Sequence, residues 1–197
     1  MIAEPDSALL RHAQQDIEAF SQVVVTYQTP VFNLCYRMLG DSQEAEDAAQ
    51  ETFWRAFRSL HRYDPSRSFL TWLLSIAAHY CIDQLRKRRT PVESIQEWTD
   101  ELLPGSAPNP EAQYVQYEEH QRIQRLLMRL EPHERAVLIL RYWYEMSELE
   151  MAEILSISTS AVKSRLHRAR QKMAILWKEE QHSGSAPKES IHEAPAY

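Results

Sequence analysis

The chain has 197 residues, 44% of them apolar, with a formal net charge of −6 and a pI near 5.8, which is enough apolar material for one medium or two small cores. Only three glycines occur, so nucleotide enzymes built on GxGxxG or Walker loops are excluded. Cys35 and Cys81 have no CxxC or CxH ligand spacing; each reads as a buried structural thiol in a reducing compartment, and no metal or other cofactor is expected.

The N-terminus "MIAEPDSALLRHAQQD" lacks the basic start and apolar core of a signal peptide, and no run is long enough to span a bilayer, so a cytoplasmic chain without membrane insertion is expected. The β-branched run Val23–Val25 lies inside a helical pattern opened by Asp16 as N-cap, and is predicted helical. Gly40 breaks that helix. Asp41 then caps the next, with Glu44 at the reciprocal position of a capping box. From there Ala45, Ala48, Ala49, Thr52, Phe53, Ala56 and Phe57 recur at helical spacing as a buried stripe. The opposite face carries Asp47, Gln50, Glu51 and Arg58 around Trp54, an aromatic aimed away from the core.

A polar loop, residues 61–68, leads to "FLTWLLSIAAHYCIDQLRKRR", a helix apolar over most of its circumference and therefore expected at the centre of its domain. Its narrow polar stripe holds Thr71, Ser75, His79 and Arg86, with Trp72 and Asp83 at the edge. It ends in the basic run Arg86, Lys87, Arg88, Arg89, which suits a helix C-terminus whether or not it binds anything. Pro91 to His120 contains acidic residues and prolines but no Lys or Arg. It separates two periodic segments, and residues 91–114 are predicted to be an acidic flexible linker.

The second segment, 115–177, contains "LEPHERAVLILRYWYEMSELEMAEILSISTSAVKSRLHRARQKM". Pro132 opens one helix, Ser147 and Glu150 form a capping box for the next, and Ser158 or Thr159 caps the last after a short turn. Two helices joined so tightly make a helix-turn-helix. In the last helix Val162, Leu166, Ala169, Met173 and Leu176 form the core face. Opposite them lie Ser160, Ser164, His167 and Gln171, flanked by Lys163 and Arg168, with Arg165, Arg170 and Lys172 farther round. Short hydrogen-bonding side chains at the centre suit base edges in a major groove, and cations at the shoulders suit phosphates. DNA is the ligand this pattern fits. Residues 178–197 lack apolar periodicity and are expected to be a disordered tail.

The blocks "GDSQEAEDAAQETFWRAF", "RSFLTWLLSIAAHYCIDQLRKRR" and "LEPHERAVLILRYWYEMSELEMAEILSISTSAVKSRLHRARQKM", in that order, resemble the extracytoplasmic-function (ECF) sigma factors, short members of the sigma-70 family. The resemblance covers residues 16–90 and 115–176. It implies an all-α fold of two small helical domains, the first over residues 1–90, and a non-enzymatic partner of core RNA polymerase that directs promoter recognition. Asp47, Gln50, Glu51, Trp54 and Arg58 would dock on the β′ clamp helices, with further contact to the β subunit. Arg67, Trp72, Ser75, His79, Arg86 and Arg88 would receive the minus-ten element as an unstacked strand. Ser160, Lys163, Ser164, His167, Arg168 and Gln171 would read the minus-thirty-five element as duplex, and an anti-sigma factor is a further candidate partner. Three departures stand out: His79 occupies a position where such proteins usually carry Asn, Ser75 a nearby one that is often basic, and Ser156 replaces a common glycine in the helix-turn-helix, which should make that turn costlier. Two other readings are a stand-alone helix-turn-helix regulator and an enzyme using His79, Cys81 and Asp83, which alternate around one helix instead of converging.

Overall fold

The computed structural model describes residues 4–88 and 110–183, with the backbone alone at Ser7, residues 110–117 and Ser183. Eight α-helices run in chain order: α1 Ser7–Ala13, α2 Ile17–Leu39, α3 Ser42–Ser59, α4 Phe69–Lys87, α5 Pro110–Met128, α6 Pro132–Tyr142, α7 Glu148–Ile154 and α8 Thr159–Ser183. A 3-10 turn, Leu60–Arg62, follows α3, and no strand occurs among the described residues.

Local chemistry sets most of the helix ends. Asp16 accepts from Glu18 N at 2.9 Å and opens α2. Gly40, at φ 83°, closes it in the left-handed conformation that a Cβ would strain. Asp41 caps α3 through Glu44 N at 2.9 Å. The reciprocal half of the expected capping box is not made, because the Glu44 carboxylate turns to Arg88 instead. Ser147 and Glu150 do form the complete box on α7, and Ser158 accepts from Ala161 N at the start of α8. Ser156 sits at φ 52° in the tight turn, the left-handed conformation that glycine would adopt more cheaply.

The first domain wraps α2 and α3 around α4. Ala45, Ala48, Ala49, Thr52, Phe53 and Ala56 are buried on α3, as the stripe required, and α4 buries Phe69, Leu73, Leu74, Ala77, Ala78, Cys81 and Ile82. Both cysteines are free and buried. Thr71, expected on the polar stripe, is buried as well. Pro30 lies inside α2, where its missing N–H costs the helix about 3 kcal/mol, offset here by packing along the helix on both sides of it.

The second domain packs α6, α7 and α8 together, and it also rests on the first. Helix α7 lies along α4, while α5 and α6 lie against α2. At the end of α2, where backbone carbonyls run short of helical partners, the second domain supplies further donors. Gln124 Nε2 donates to Tyr36 O at 3.1 Å. The Arg135 guanidinium, only 4% exposed, donates to Met38 O, to Met128 O at 2.8 Å and to Leu130 O at 3.1 Å. Burial, with Arg88 second, holds its pKa down to about 10. Tyr144 donates to Pro30 O at 2.6 Å, and burial pushes its phenol well above the usual value.

Two expected boundaries shift. Helix α5 begins at Pro110, inside the predicted linker, because proline suits the first helical position and good helix formers follow. Helix α8 continues past Trp177 to Ser183, held by Arg122 to Glu180 at 2.7 Å and Arg129 to Glu179 at 3.0 Å. Arg122 also stacks on the Trp177 ring, 3.8 Å from its centroid. Residues 89–109 of the linker region and the tail beyond Ser183 lie outside the described residues.

Candidate nucleic-acid and polymerase interfaces

Helix α8 turns the face expected to meet duplex DNA toward solvent. Its core side buries Val162, Leu166, Ala169 and Leu176, which turns Ser160, Lys163, Ser164, His167, Arg168 and Gln171 outward, all exposed. Ser164 Oγ donates to Ser160 O at 3.0 Å, and Ser160 Oγ lies 3.0 Å from Ser158 Oγ. The cations at the shoulders are already engaged. Lys163 Nζ lies 3.3 Å from Glu148, and Arg168 Nε lies 3.3 Å from Glu134. Arg170 donates to the Tyr142 hydroxyl at 3.0 Å. Glu134, Glu148 and Tyr142 were not singled out from sequence, since each belongs to another helix and becomes a neighbour only through the fold.

The residues expected at the minus-ten element are less uniform. Trp72 is half-buried in an aromatic cluster, 5.3 Å from the Tyr63 ring and 5.4 Å from that of Phe69. Tyr63 itself was overlooked; its spacing six residues before Phe69 carries no helical signal. His79 Nδ1 lies 2.8 Å from Ser75 O, so that nitrogen carries the proton and Nε2 remains for another partner. Ser75 and His79 are half-buried and Arg86 is exposed. Arg67 is engaged by Glu153 of α7 at 2.6 Å, and Arg88 by Glu44. Helix α4 is capped by Ser68, whose hydroxyl donates to Glu4 Oε1 at 2.7 Å while Phe69 N donates to Glu4 Oε2 at 2.9 Å. A remote N-terminal carboxylate therefore anchors the loop that carries Arg67.

On α3, Trp54 is 54% exposed, as its place opposite the stripe required. It borders an open groove of about 750 Å³ between α2 and α3, with Ile17, Phe20, Val25, Phe32, Phe53 and Gln50 among its walls. Gln50 and Trp54 share this groove, but Asp47 lies on the other flank with Tyr80 and Gln84. Glu51 pairs with Arg55 at 2.7 Å, and Arg58 is exposed. The acidic residues thus form a rim and not a wall.

Residues 23–90 match the Sigma-70 region 2 family and residues 120–173 match Sigma-70, region 4. The chain is 36% identical over 165 residues to the ECF RNA polymerase sigma factor SigW of Bacillus subtilis, covering 79% of this chain and 87% of SigW. The chain is an ECF sigma factor of the sigma-70 family. It is also 30% identical to the RNA polymerase sigma-H factor of Pseudomonas aeruginosa, over 85% of this chain and 91% of that one. Among solved structures it is similar to CnrH in complex with the cytosolic domain of CnrY, with a TM-score of 0.63, 25% identity and coverage of 87% and 96% of the two chains. The fold of RpoE from Bartonella quintana, solved with the anti-sigma factor NepR, is also similar, at a TM-score of 0.62 and 21% identity.

This ECF sigma factor directs promoter recognition by RNA polymerase and is not an enzyme. The region 2 match removes the stand-alone regulator reading. His79, Cys81 and Asp83 do not form a catalytic group: Cys81 is buried while Asp83 is exposed. Among the described residues no helix is long and apolar enough to cross a membrane.

Proposed function

We propose that this sigma factor divides promoter recognition between α8 and the α4 region, and meets core polymerase through the α2–α3 groove. The observation that carries this reading is the outward face of α8. Small polar side chains, Ser160 and Ser164, lie beside His167 at its centre, with Lys163 and Arg168 at its shoulders, all exposed. Centre residues reach base edges of the minus-thirty-five duplex and shoulder residues reach phosphates. Around α4, Trp72, Ser75, His79, Arg67 and Arg86 receive the unstacked minus-ten strand, with Tyr63 extending the aromatic surface. Arg88, tied to Glu44, serves the fold first.

Trp54 supplies the apolar anchor for the β′ clamp helices with Gln50 as a polar contact beside it, and Glu51, Arg58 and, on the other flank, Asp47 steer approach. A second open apolar surface, lined by Tyr142, Trp143, Met173 and Trp177, suits the β subunit. An anti-sigma factor would act by covering one of these surfaces, and co-purification with the tagged protein tests for one. The site of action is the cytoplasm, where core polymerase and promoter DNA are.

A promoter-library selection with reconstituted holoenzyme tests the central assignment. Ser164→Ala or His167→Ala is expected to change the preferred upstream sequence. Arg168→Ala is expected to weaken all sequences alike and to reduce the salt slope by about one unit, as loss of one phosphate contact does. Unchanged upstream preference in both Ser164 and His167 variants would overturn the base-reading role of α8.

A further inference from the structure

The cations flanking the duplex face of α8 are not waiting in solvent. Arg168 reaches across to α6, where its Nε lies 3.3 Å from Glu134 Oε1, and Lys163 reaches to α7, 3.3 Å from Glu148 Oε2. The two carboxylates differ in how firmly they are held. The Glu134 side chain is 15% exposed and sits in the first turn of α6, where a negative charge is also favoured by the helix dipole. That of Glu148 is 43% exposed.

A guanidinium binds carboxylate and phosphate oxygens with the same donors. Arg168 cannot give its Nε proton to Glu134 and to a DNA phosphate at once. A phosphate that takes the Nε donor displaces the carboxylate, and one that takes the Nη donors sits beside it, so in either case two anions repel across one cation. We propose that Glu134 is a positioning residue for promoter binding: an internal anion that occupies Arg168 in the free protein and sets how strongly the upstream phosphates are gripped, without taking part in base reading. Glu148 plays the same part for Lys163 more weakly, since both members of that pair are open to water and screened. The proposal rests on the reading of α8 as the duplex-binding helix.

The salt dependence follows from the exchange. A phosphate contact made by a free cation releases about one counterion from the duplex. When the cation must first leave a carboxylate, the uncovered carboxylate takes up a cation from solution, and the net release is smaller. Neutralising Glu134 should therefore tighten binding and steepen the salt dependence together. Base preference should stay fixed, because Ser160, Ser164 and His167 are untouched.

The test uses holoenzyme reconstituted with Glu134→Gln, Glu148→Gln, Arg168→Ala and the Glu134→Gln/Arg168→Ala pair. Binding is measured on a promoter fragment recovered with the unmodified holoenzyme from a randomised library, by fluorescence anisotropy over a series of potassium chloride concentrations. Glu134→Gln is expected to tighten binding about two- to fivefold, the equivalent of releasing one partly exposed ion pair. Its slope should steepen by up to about one unit, its preferred upstream sequence should be unchanged, and Glu148→Gln should gain less. In the Arg168→Ala background the gain should vanish. A Glu134→Gln protein that binds no tighter, or whose gain survives loss of Arg168 as a bulk charge effect, overturns the proposal. If Arg168→Ala leaves affinity unchanged, the reading of α8 as a phosphate-contacting helix falls, and the proposal with it. That outcome is distinct from weakened binding by Arg168→Ala with no gain from Glu134→Gln, which refutes the internal-anion role alone.

Discussion

Arg135 is where the fold is most exposed to a single substitution. Its guanidinium is buried and bridges the end of α2, through Met38 O, to the α5–α6 junction, through Met128 O and Leu130 O. Burial lowers its pKa, so the charged form is seated against a desolvation penalty that the carbonyls offset. Replacing it by Ala leaves the buried Met38 O and Leu130 O and the half-buried Met128 O without their donor, at about 1–3 kcal/mol for each buried acceptor, and removes the methylene stem that packs around them. The expected loss is about 3–5 kcal/mol, the usual range for breaking a buried charged network from one side. For a chain of this size that corresponds to a melting temperature lower by roughly 10 °C. Arg135→Met separates the two contributions, because it keeps most of the stem volume and removes the donors. Differential scanning calorimetry of both variants reads the outcome. Because Arg135 ties the second domain to α2, small-angle scattering of Arg135→Met should also show a more extended particle. A Met variant that melts within about 3 °C of the unmodified protein, a shift equivalent to only ~1 kcal/mol at this chain length, would refute the reasoning.

Trp54→Ala should cut affinity for core polymerase about tenfold to a hundredfold by competition binding, the equivalent of about 1.5–3 kcal/mol of lost burial, while leaving helicity unchanged. Trp72→Ala should impair opening of a normal duplex more than binding to a pre-melted bubble in permanganate footprinting, with some stability lost because the ring packs on Tyr63 and Phe69. Gly40→Ala should cost about 1–2 kcal/mol in denaturant melts, since φ is 83° there and the new methyl would meet the Met128 side chain. His133 has its pKa lowered by burial first, then by Arg165, Arg86 and His79. The unfolded chain therefore binds its proton more readily than the folded one, and stability present above about pH 6.5 is lost as pH falls below it. Melting curves from pH 7.5 to 5.5 should show that loss, and His133→Gln should flatten it.

What the sequence made legible is what short-range chemistry decides. Asp16, Asp41, Ser147 and Ser158 each cap a helix through a backbone N–H two or three residues away, and such pairings need no knowledge of the rest of the fold. The buried stripe of α3 and the core face of α8 were equally plain, since one helix and its period determine them. Ser156 was flagged as a costly turn residue and takes the left-handed conformation that makes it so. The extra turns of α8 and the early start of α5 were hidden, because the first needs Arg122 and Arg129 from elsewhere and the second lies in a composition that reads as linker. Arg135 was hidden for a related reason: in "PHERAV" it looks like any charged residue in a first turn, and one of the carbonyls it caps, Met38 O, belongs to a helix 97 residues earlier.

The candidate surfaces divide along the same line, and the width of each helix's apolar arc explains where. Helices α3 and α8 are apolar on one face, so the opposite face has nowhere to go but solvent, and Trp54, Ser164 and His167 are exposed as their positions demand. Helix α4 is apolar around most of its circumference. A helix of that kind is surrounded, and its few polar residues are as apt to meet a neighbour as water. Thr71 is buried, Ser75 and His79 bond to each other's turn, and Arg67, on the loop before α4, meets Glu153 of α7. A helical wheel can assign an outward role to a residue only when the helix has a true outside. On α8 that condition holds, and Ser160, Ser164, His167 and Gln171 are exposed together. Along α4 it does not: Ser75 and His79 are taken up within the helix itself, and Arg67 finds Glu153 in the second domain, a partner no local pattern in the first domain could have announced.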